Sequence, residues 1–277
     1  MRETRQSPGK SLVTVISYPR DTVISISGLY QGDRARGLVK ARGKVTECSF
    51  KSLRRASLII RNIMESINQF VVLTYPADFP MYGKKVKRDV DAFNKYLRRQ
   101  GIKYFWFLEF QTRGAPHVNY LLTKTVSMED LQETWYRIVG SGDWKHRYMG
   151  VYADTPHDKN KLSTYLAGYF TKKDARKVAQ RQVPEGYSHV GRFWGMTRGL
   201  VNPEIVAVLN GDHFENMRKL RPVLKLNKAN CRAWGWKWKH KGKGFTSWSV
   251  GQDTIKNLIG GSEQCLKLKN GCLQEKG

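Results

Sequence analysis

The stretch Lys103-Tyr-Phe-Trp-Phe-Leu-Glu-Phe-Gln-Thr-Arg-Gly-Ala-Pro-His-Val-Asn-Tyr-Leu-Leu122 predicts a β-hairpin around which the chain is organised. Its first part is rich in aromatic residues, which is typical of a buried strand, and Gly114 and Pro116 mark a turn. A second strand begins at His117. The sequence therefore predicts two apolar strands joined by a polar tip.

Three polar side chains of this hairpin are predicted to share one face. Side chains alternate along a strand, so His117 and Asn119 point the same way, and Glu109 reaches that face across the strand pair. A carboxylate, an imidazole and an amide oxygen suit a divalent cation, and the hard oxygen donors favour Mg²⁺ or Mn²⁺. The alternative is a polar hairpin face with an incidental histidine. This stretch alone does not separate the two.

The segments around the hairpin predict an α+β fold. Phe70–Tyr75 is a β-prone run that ends at a proline, and helices are predicted at roughly residues 49–66 and 84–100 from their apolar spacing. Ser127 opens a third helix with a Ser-x-x-Asp capping pattern. This order of elements is typical of a central antiparallel β-sheet with helices packed against it.

A second polar cluster lies in Tyr165-Leu-Ala-Gly-Tyr-Phe-Thr-Lys-Lys173. At roughly 100° per residue, Tyr165, Tyr169 and Lys172 fall on one side of a helix. An apolar stripe beside them consists of Leu162, Leu166 and Phe170. The pattern predicts a helix that packs by this stripe and presents two phenols and an ammonium group.

In order and spacing, these pieces resemble the motifs of rolling-circle replication initiators, the HUH endonucleases, which are named for a His-hydrophobic-His metal motif. The matching pieces are Phe70–Pro76, Glu109 with Arg113–Asn119, and Tyr165–Lys172, followed by Gly191-Arg-Phe-Trp-Gly195. The sequence looks most similar to the two-tyrosine branch of small phages and filamentous-phage relatives. In that branch the nucleophile helix reads Tyr-x-x-x-Tyr-x-x-Lys.

The resemblance implies an RRM-like, ferredoxin-like palm and a replication initiator of a phage or plasmid. Such an enzyme nicks and rejoins one DNA strand at an origin, with a cation on the hairpin and a 5′-phosphotyrosine intermediate. Tyr169 is the preferred first nucleophile because Lys172 lies three residues beyond it, whereas Tyr165 either attacks second or only orients DNA. A free phenol has a pKa near 10, so the cation and Lys172 are expected to favour its phenolate.

Two residues depart from the family pattern. Asn119 stands where the family usually has its second histidine, and Gly168 stands where many two-tyrosine members carry a lysine. One alternative is therefore an HUH transposase or relaxase with the same chemistry. The other is a non-catalytic basic DNA-binding protein, for which Asn119 is the best support.

The composition indicates a nucleic-acid partner. Among 277 residues, 49 are basic and 23 acidic, which gives a net charge of +26. So large an excess points to a polyanion, here single-stranded and origin DNA. The sequence has no phosphate-binding Gly-x-x-x-x-Gly-Lys-Ser/Thr loop, so unwinding is expected to come from a partner, by hypothesis a host helicase.

Candidate DNA contacts are cations near the motifs and aromatic rings interleaved with cations in the C-terminal region. Arginine and lysine neutralise phosphates, and exposed rings stack on unpaired bases. The alternative is that the tryptophans form the core of a small domain. The candidates are Arg113, Lys173, Arg192, Arg198, Trp236 and Trp238.

The composition divides the chain into three parts. Residues 1–48 form a basic N-terminal extension, either a disordered arm or a small β-element; residues 49–210 form the nicking domain; residues 211–277 are basic and Trp-rich. No long apolar run or apolar signal region is present, so we expect a cytoplasmic protein, in the host cytoplasm if phage-encoded, without a membrane partner. His146, His157 and His189 lack a neighbouring ligand pattern and are predicted to be surface or satisfied core histidines.

Overall fold

The computed structural model describes residues 10–27, 45–156, 158–159, 162, 166, 180, 182–233, 244–247, 250 and 252–259. These residues belong to two compact units. One unit lies within Ala41–Val201, and the other joins parts of Met1–Lys40 and Asn202–Gly277.

The described elements are numbered here in chain order. The strands are β1 (Lys10–Ser17), β2 (Thr22–Ser27), β3 (Gln69–Thr74), β4 (Tyr104–Phe110), β5 (Pro116–Leu122), β6 (Val151–Asp154), β7 (Trp194–Met196), β8 (Glu204–Asp212) and β9 (Gly244–Ser247). The helices are α1 (Phe50–Ile63) with a 3₁₀ turn at Met64–Ser66, α2 (Gly83–Arg99), α3 (Met128–Val139), α4 (Trp144–Met149), α5 (His213–Ala233) and α6 (Gln252–Ile259).

The first unit contains a five-stranded antiparallel sheet in the order β6-β3-β5-β4-β7. The predicted hairpin is confirmed as β4 and β5, and its second strand is the central strand of the sheet. Because β5 is flanked on both sides, its side chains are held in register by two neighbours.

One face of this sheet is covered by α2 and α3. Phe93 of α2 is fully buried, with its ring centroid 5.0 Å from that of Tyr120 and 6.2 Å from that of Trp135. The phenol of Tyr120 donates a hydrogen bond to Asn94 Oδ1 at 3.1 Å. Burying each such ring contributes about 1.5–3 kcal/mol, so this aromatic layer fixes the helices on the sheet.

Local capping chemistry sets where two helices begin. Ser49 Oγ accepts a hydrogen bond from the backbone N–H of Ser52, and Ser127 Oγ accepts one from that of Asp130. These contacts satisfy N–H groups that have no partner within the helix. The capping pattern predicted at Ser127 is therefore confirmed.

The second unit contains a four-stranded antiparallel sheet in the order β8-β1-β2-β9. Its buried core is formed by Val13, Val15, Ile24, Ile26, Val206, Leu209, Leu220, Val223, Phe245, Val250, Ile255 and Ile259. Strands from residues 10–27 thus pair with a strand from the end of the predicted nicking domain. The N-terminal segment forms the small β-element that was one of its two predicted alternatives.

The predicted α+β class is confirmed, with two antiparallel sheets flanked by helices. The contact boundary between the units lies between Val201 and Asn202. The functional division at 48/49 and 210/211 stays a prediction. No helix in the described part of the chain is long and apolar enough to cross a membrane.

Candidate metal centre

Glu109, His117 and Asn119 lie together on one face of the hairpin. Glu109 of β4 is directly opposite His117 of β5, and Asn119 follows two residues along β5. The amide Nδ2 of Asn119 donates a hydrogen bond of 3.1 Å to Glu109 Oε2. The structure therefore brings the three predicted ligand side chains together.

Two of the three side chains are almost completely buried. Glu109 and Asn119 are each 4% exposed, and His117 is half-buried. Carboxylates that are removed from water in proteins are paired or coordinate metals, because leaving the charge without compensation is costly. The Asn119 amide nitrogen supplies part of that compensation, and the amide Oδ1 remains as its second polar atom.

His117 is held in the neutral form that binds cations. Burial, with a smaller contribution from the Arg113 guanidinium, lowers the pKa of His117 from 6.5 to about 4. Its Nε2 is buried and has no hydrogen-bond partner among the described residues. Neutral imidazole is the ligand form, since protonation removes the nitrogen lone pair.

The donor set fits one divalent cation. A carboxylate, a neutral imidazole and an amide oxygen are ligand types found with Mg²⁺ and Mn²⁺. Within the described residues, no group of three His, Cys, Asp or Glu side chains comes together, so Asn119 is required to complete three protein ligands here.

The position of His117 is supported by β3 on the other side of β5. Thr74 is the partner of His117 across these strands. The carbonyl oxygen of Thr74 accepts hydrogen bonds from Trp135 Nε1 at 2.7 Å and from His146 Nε2 at 2.9 Å. This end of β3 is therefore fixed by two ring donors.

His146 is a satisfied core histidine, as predicted. It is buried, and its Nδ1 lies 2.9 Å from Ser141 Oγ while its Nε2 bonds Thr74. His189 is exposed, and His157 lies outside the described residues. The link from His146 to Thr74 was not predicted, because a side-chain bond to a backbone carbonyl 72 positions away leaves no pattern in the sequence.

Arg113 ties the hairpin tip to the end of β3. Its guanidinium donates to the carbonyl oxygens of Tyr75 at 2.7 Å and Pro76 at 2.9 Å, and its Nε donates to Gln111 at 2.9 Å. Arg113 is nonetheless exposed at its surface. Its contact with DNA stays a prediction, while its contact with the β3 end is a structural role that the sequence did not predict.

The predicted nucleophile segment is described only in part. Tyr165, Tyr169, Lys172 and Lys173 lie outside the described residues, as do Trp236 and Trp238 of the C-terminal region. The backbone at residues 159, 162 and 166 is helical, and Leu166 is fully buried. Burial of Leu166 agrees with the apolar stripe predicted for this helix.

The segment after residue 190 borders an open cleft of about 850 Å³. Arg55 of α1 and Arg192 line it, and Arg192 and Arg198 are both exposed. Trp194 stacks on Phe105 with ring centroids 5.6 Å apart, and its Nε1 donates to Ser52 Oγ at 2.8 Å. The aromatic residues here are structural, as predicted, whereas contact of the two arginines with phosphate stays a prediction.

Together, the two helix-flanked antiparallel sheets define an α+β protein that is consistent with an HUH endonuclease-like fold. Residues 68–174 match the model of a family of replication-associated proteins, the ORF2 type. The match runs from β3 across the hairpin and into the predicted nucleophile segment, and it supports a replication initiator. Searches of curated proteins and of solved structures returned no significant match.

Proposed function

We propose that the protein is a replication initiator that nicks and rejoins one DNA strand at an origin by metal-dependent transesterification. The observation that carries the proposal is the cluster of Glu109, His117 and Asn119 on adjacent strands, inside the segment that matches the replication-associated family. A cluster of this type suits work on a charged phosphodiester.

In this proposal, Glu109, His117 and Asn119 hold Mg²⁺ or Mn²⁺. When bound, the cation neutralises charge on the scissile phosphate and on the oxygen that leaves. Buried Glu109 and neutral His117 are already arranged in the protein, so little rearrangement is needed for binding. Preorganised groups of this kind lower the cost of the reaction step.

The proposed nucleophile is Tyr169. Its phenolic oxygen attacks phosphorus and loses its proton, the bond from phosphorus to the 3′ oxygen breaks, and that oxygen takes up a proton. The products are a 5′-phosphotyrosine and a free 3′-hydroxyl. Lys172 favours the phenolate, and Tyr165 either attacks in the second round or orients DNA.

The covalent link conserves the energy of the broken phosphodiester. A later 3′-hydroxyl therefore reseals the strand without ATP. Separation of the duplex is assigned to a host helicase. Contacts to the DNA backbone and bases are assigned to Arg113, Lys173, Arg192, Arg198, Trp236 and Trp238.

The decisive experiment is the trapping of a covalent protein–DNA adduct. Purified protein is incubated with supercoiled replicon DNA and Mg²⁺ or Mn²⁺, and protein-linked relaxed DNA is scored after denaturation. We expect an adduct with either cation and none with EDTA. Tyr169→Phe should abolish the first adduct, whereas Tyr136→Phe, a half-buried tyrosine of α3, should form it at the wild-type level.

The same experiment separates the alternatives. Full adduct formation by Tyr169→Phe would move the first nucleophile to Tyr165. Cleavage of hairpin-bearing transposon ends in place of an origin would indicate a transposase or relaxase. DNA binding without any adduct under either cation would support the non-catalytic alternative, which the amide of Asn119 favours.

A further inference from the structure

Large apolar side chains are exposed together on α4 and the following strand. We define the α4 surface as Trp144, Lys145, Tyr148 and Met149 of α4 with Tyr152 of β6. Trp144 is 66% exposed, Met149 is 80% exposed, and the two tyrosines are each 57% exposed. Contiguous exposed rings on a protein surface commonly mark an interaction site.

Cations are interleaved with these rings. Trp144 and Tyr148 are one helical turn apart, with ring centroids separated by 6.5 Å. The Lys145 ammonium lies 5.9 Å from the Trp144 centroid, and the Arg147 guanidinium lies 5.9 Å from the Tyr148 centroid. Arg147 also pairs with Glu133 at 2.8 Å, while Lys145 forms no ion pair within the described residues.

The α4 surface is anchored directly beside the candidate metal centre. His146, on the inner side of α4, bonds the carbonyl of Thr74, and Thr74 is the cross-strand partner of His117. The backbone N–H of Thr74 donates to Gly150 at the end of α4, at 2.8 Å. A pocket of about 200 Å³ lined by Thr74, Arg113, Lys145 and Met149 connects the two regions.

Strand register places Tyr152 on the same sheet face as the metal centre. Tyr152 is opposite Val72, and Val72 is opposite Asn119. Adjacent strands lie about 4.8 Å apart, so Tyr152 and Asn119 are about 10 Å apart across the sheet. This separation is about that of a few stacked nucleotides from a phosphate at the centre.

We propose that the α4 surface binds unpaired bases of the DNA strand that flanks the cleavage site. This inference rests on the proposed function, because it assigns the path of the strand that reaches the same centre. Rings accept any base by stacking, and neighbouring cations neutralise the backbone, so single strands are bound without sequence preference. A protein partner fits less well, because lysine is depleted at the cores of protein interfaces.

The test measures DNA affinity without cleavage. A fluorescein-labelled oligothymidylate is titrated with Trp144→Ala/Tyr148→Ala protein in EDTA, and fluorescence anisotropy gives Kd. We expect Kd to rise at least about tenfold, because each stacked ring contributes that order of affinity. Trp144→Tyr/Tyr148→Phe keeps two rings and should retain most of the affinity.

The matched control is Phe50→Ala. Phe50 is another exposed ring, 70% accessible, with the Arg54 guanidinium 5.9 Å from its centroid. We expect its Kd to equal that of the wild type. Wild-type affinity in the Trp144→Ala/Tyr148→Ala protein, or an equal loss in both the Phe50 variant and the double variant, would overturn the inference.

Further outcomes separate this inference from the proposed function. An equal loss of affinity for blunt duplex DNA would overturn it, because paired bases are not available for stacking. If wild-type protein forms the covalent adduct while the double variant binds oligothymidylate normally, only the α4 assignment fails. If no adduct forms but the double variant loses single-strand affinity, the nicking function fails and the binding surface stands.

Discussion

At the residue scale, Asn119 combines two roles that an imidazole would not combine in the same way. Its amide nitrogen donates to the buried carboxylate of Glu109, and its amide oxygen is left for a cation. An amide is a weaker ligand than imidazole but does not titrate near neutral pH. Asn119 therefore holds Glu109 in place at every pH at which the protein is folded.

We expect Asn119→Ala to weaken both folding and cation binding. Removing a hydrogen-bond donor to a buried charged group lowers the free energy of unfolding by about 1–3 kcal/mol, measured by urea denaturation in EDTA. Loss of a ligand should also raise the Mn²⁺ concentration needed for half-maximal thermal stabilisation by about tenfold or more.

The matched control for this prediction is Asn94→Ala. Asn94 is 5% exposed and accepts the hydrogen bond of Tyr120, on the face of the sheet that packs on α2. It should lose comparable stability and keep the wild-type Mn²⁺ requirement. An unchanged Mn²⁺ requirement in Asn119→Ala would show that Asn119 positions Glu109 without being a ligand.

At the element scale, β7 depends on a glycine that faces an indole ring. Gly195 pairs with Trp106 of β4, and a Cβ built on Gly195 would lie 2.8 Å from Trp106 Nε1. The ring has little room to move, because the Lys87 ammonium lies 4.6 Å from its centroid. The edge of the five-stranded sheet is therefore closed by close backbone approach.

We predict that Gly195→Ala lowers the free energy of unfolding by about 1–3 kcal/mol, since overpacking a tight contact forces side chains or backbone to shift. Denaturant unfolding followed by tryptophan fluorescence measures the change. Gly211→Ala on β8 is the control, because a Cβ there meets no atom within 4 Å. Equal stability of the Gly195 and Gly211 variants would contradict the close-approach account.

At the scale of the whole molecule, the net charge of +26 governs association with DNA. Each lysine or arginine that meets a phosphate releases a condensed counterion, so affinity falls with added salt. The exposed cations of the first unit, such as Arg192 and Arg198, are part of this excess.

We expect the affinity for oligothymidylate to fall at least about tenfold between about 50 and 200 mM salt, with a linear dependence of log affinity on log salt concentration. Titrations at four or more salt concentrations provide the slope. Lys145→Gln should make the slope shallower by roughly 0.7, the contribution of one single-strand phosphate contact. A wild-type affinity that does not change with salt would remove the electrostatic basis for DNA binding.

Local sequence was sufficient for the hairpin and the position of its polar side chains. Glu109 and His117 are joined by one turn marked by Gly114 and Pro116, so alternation along two adjacent strands predicted their shared face. The cap at Ser127 was predictable for the same reason, since its donor lies three residues away. The geometry of Tyr165 and Tyr169 stays a prediction, because both lie outside the described residues.

The sequence by itself determined the hairpin, the helices that cover it and the basic character of the protein, because each depends on near neighbours or on composition. Only the tertiary structure decided that β1 pairs with β8 and that His146 bonds Thr74 beside His117. Many β-prone segments compete equally as partners for a distant strand. Packing of the complete core selects among them, and that selection places the exposed rings of α4 next to the candidate metal centre.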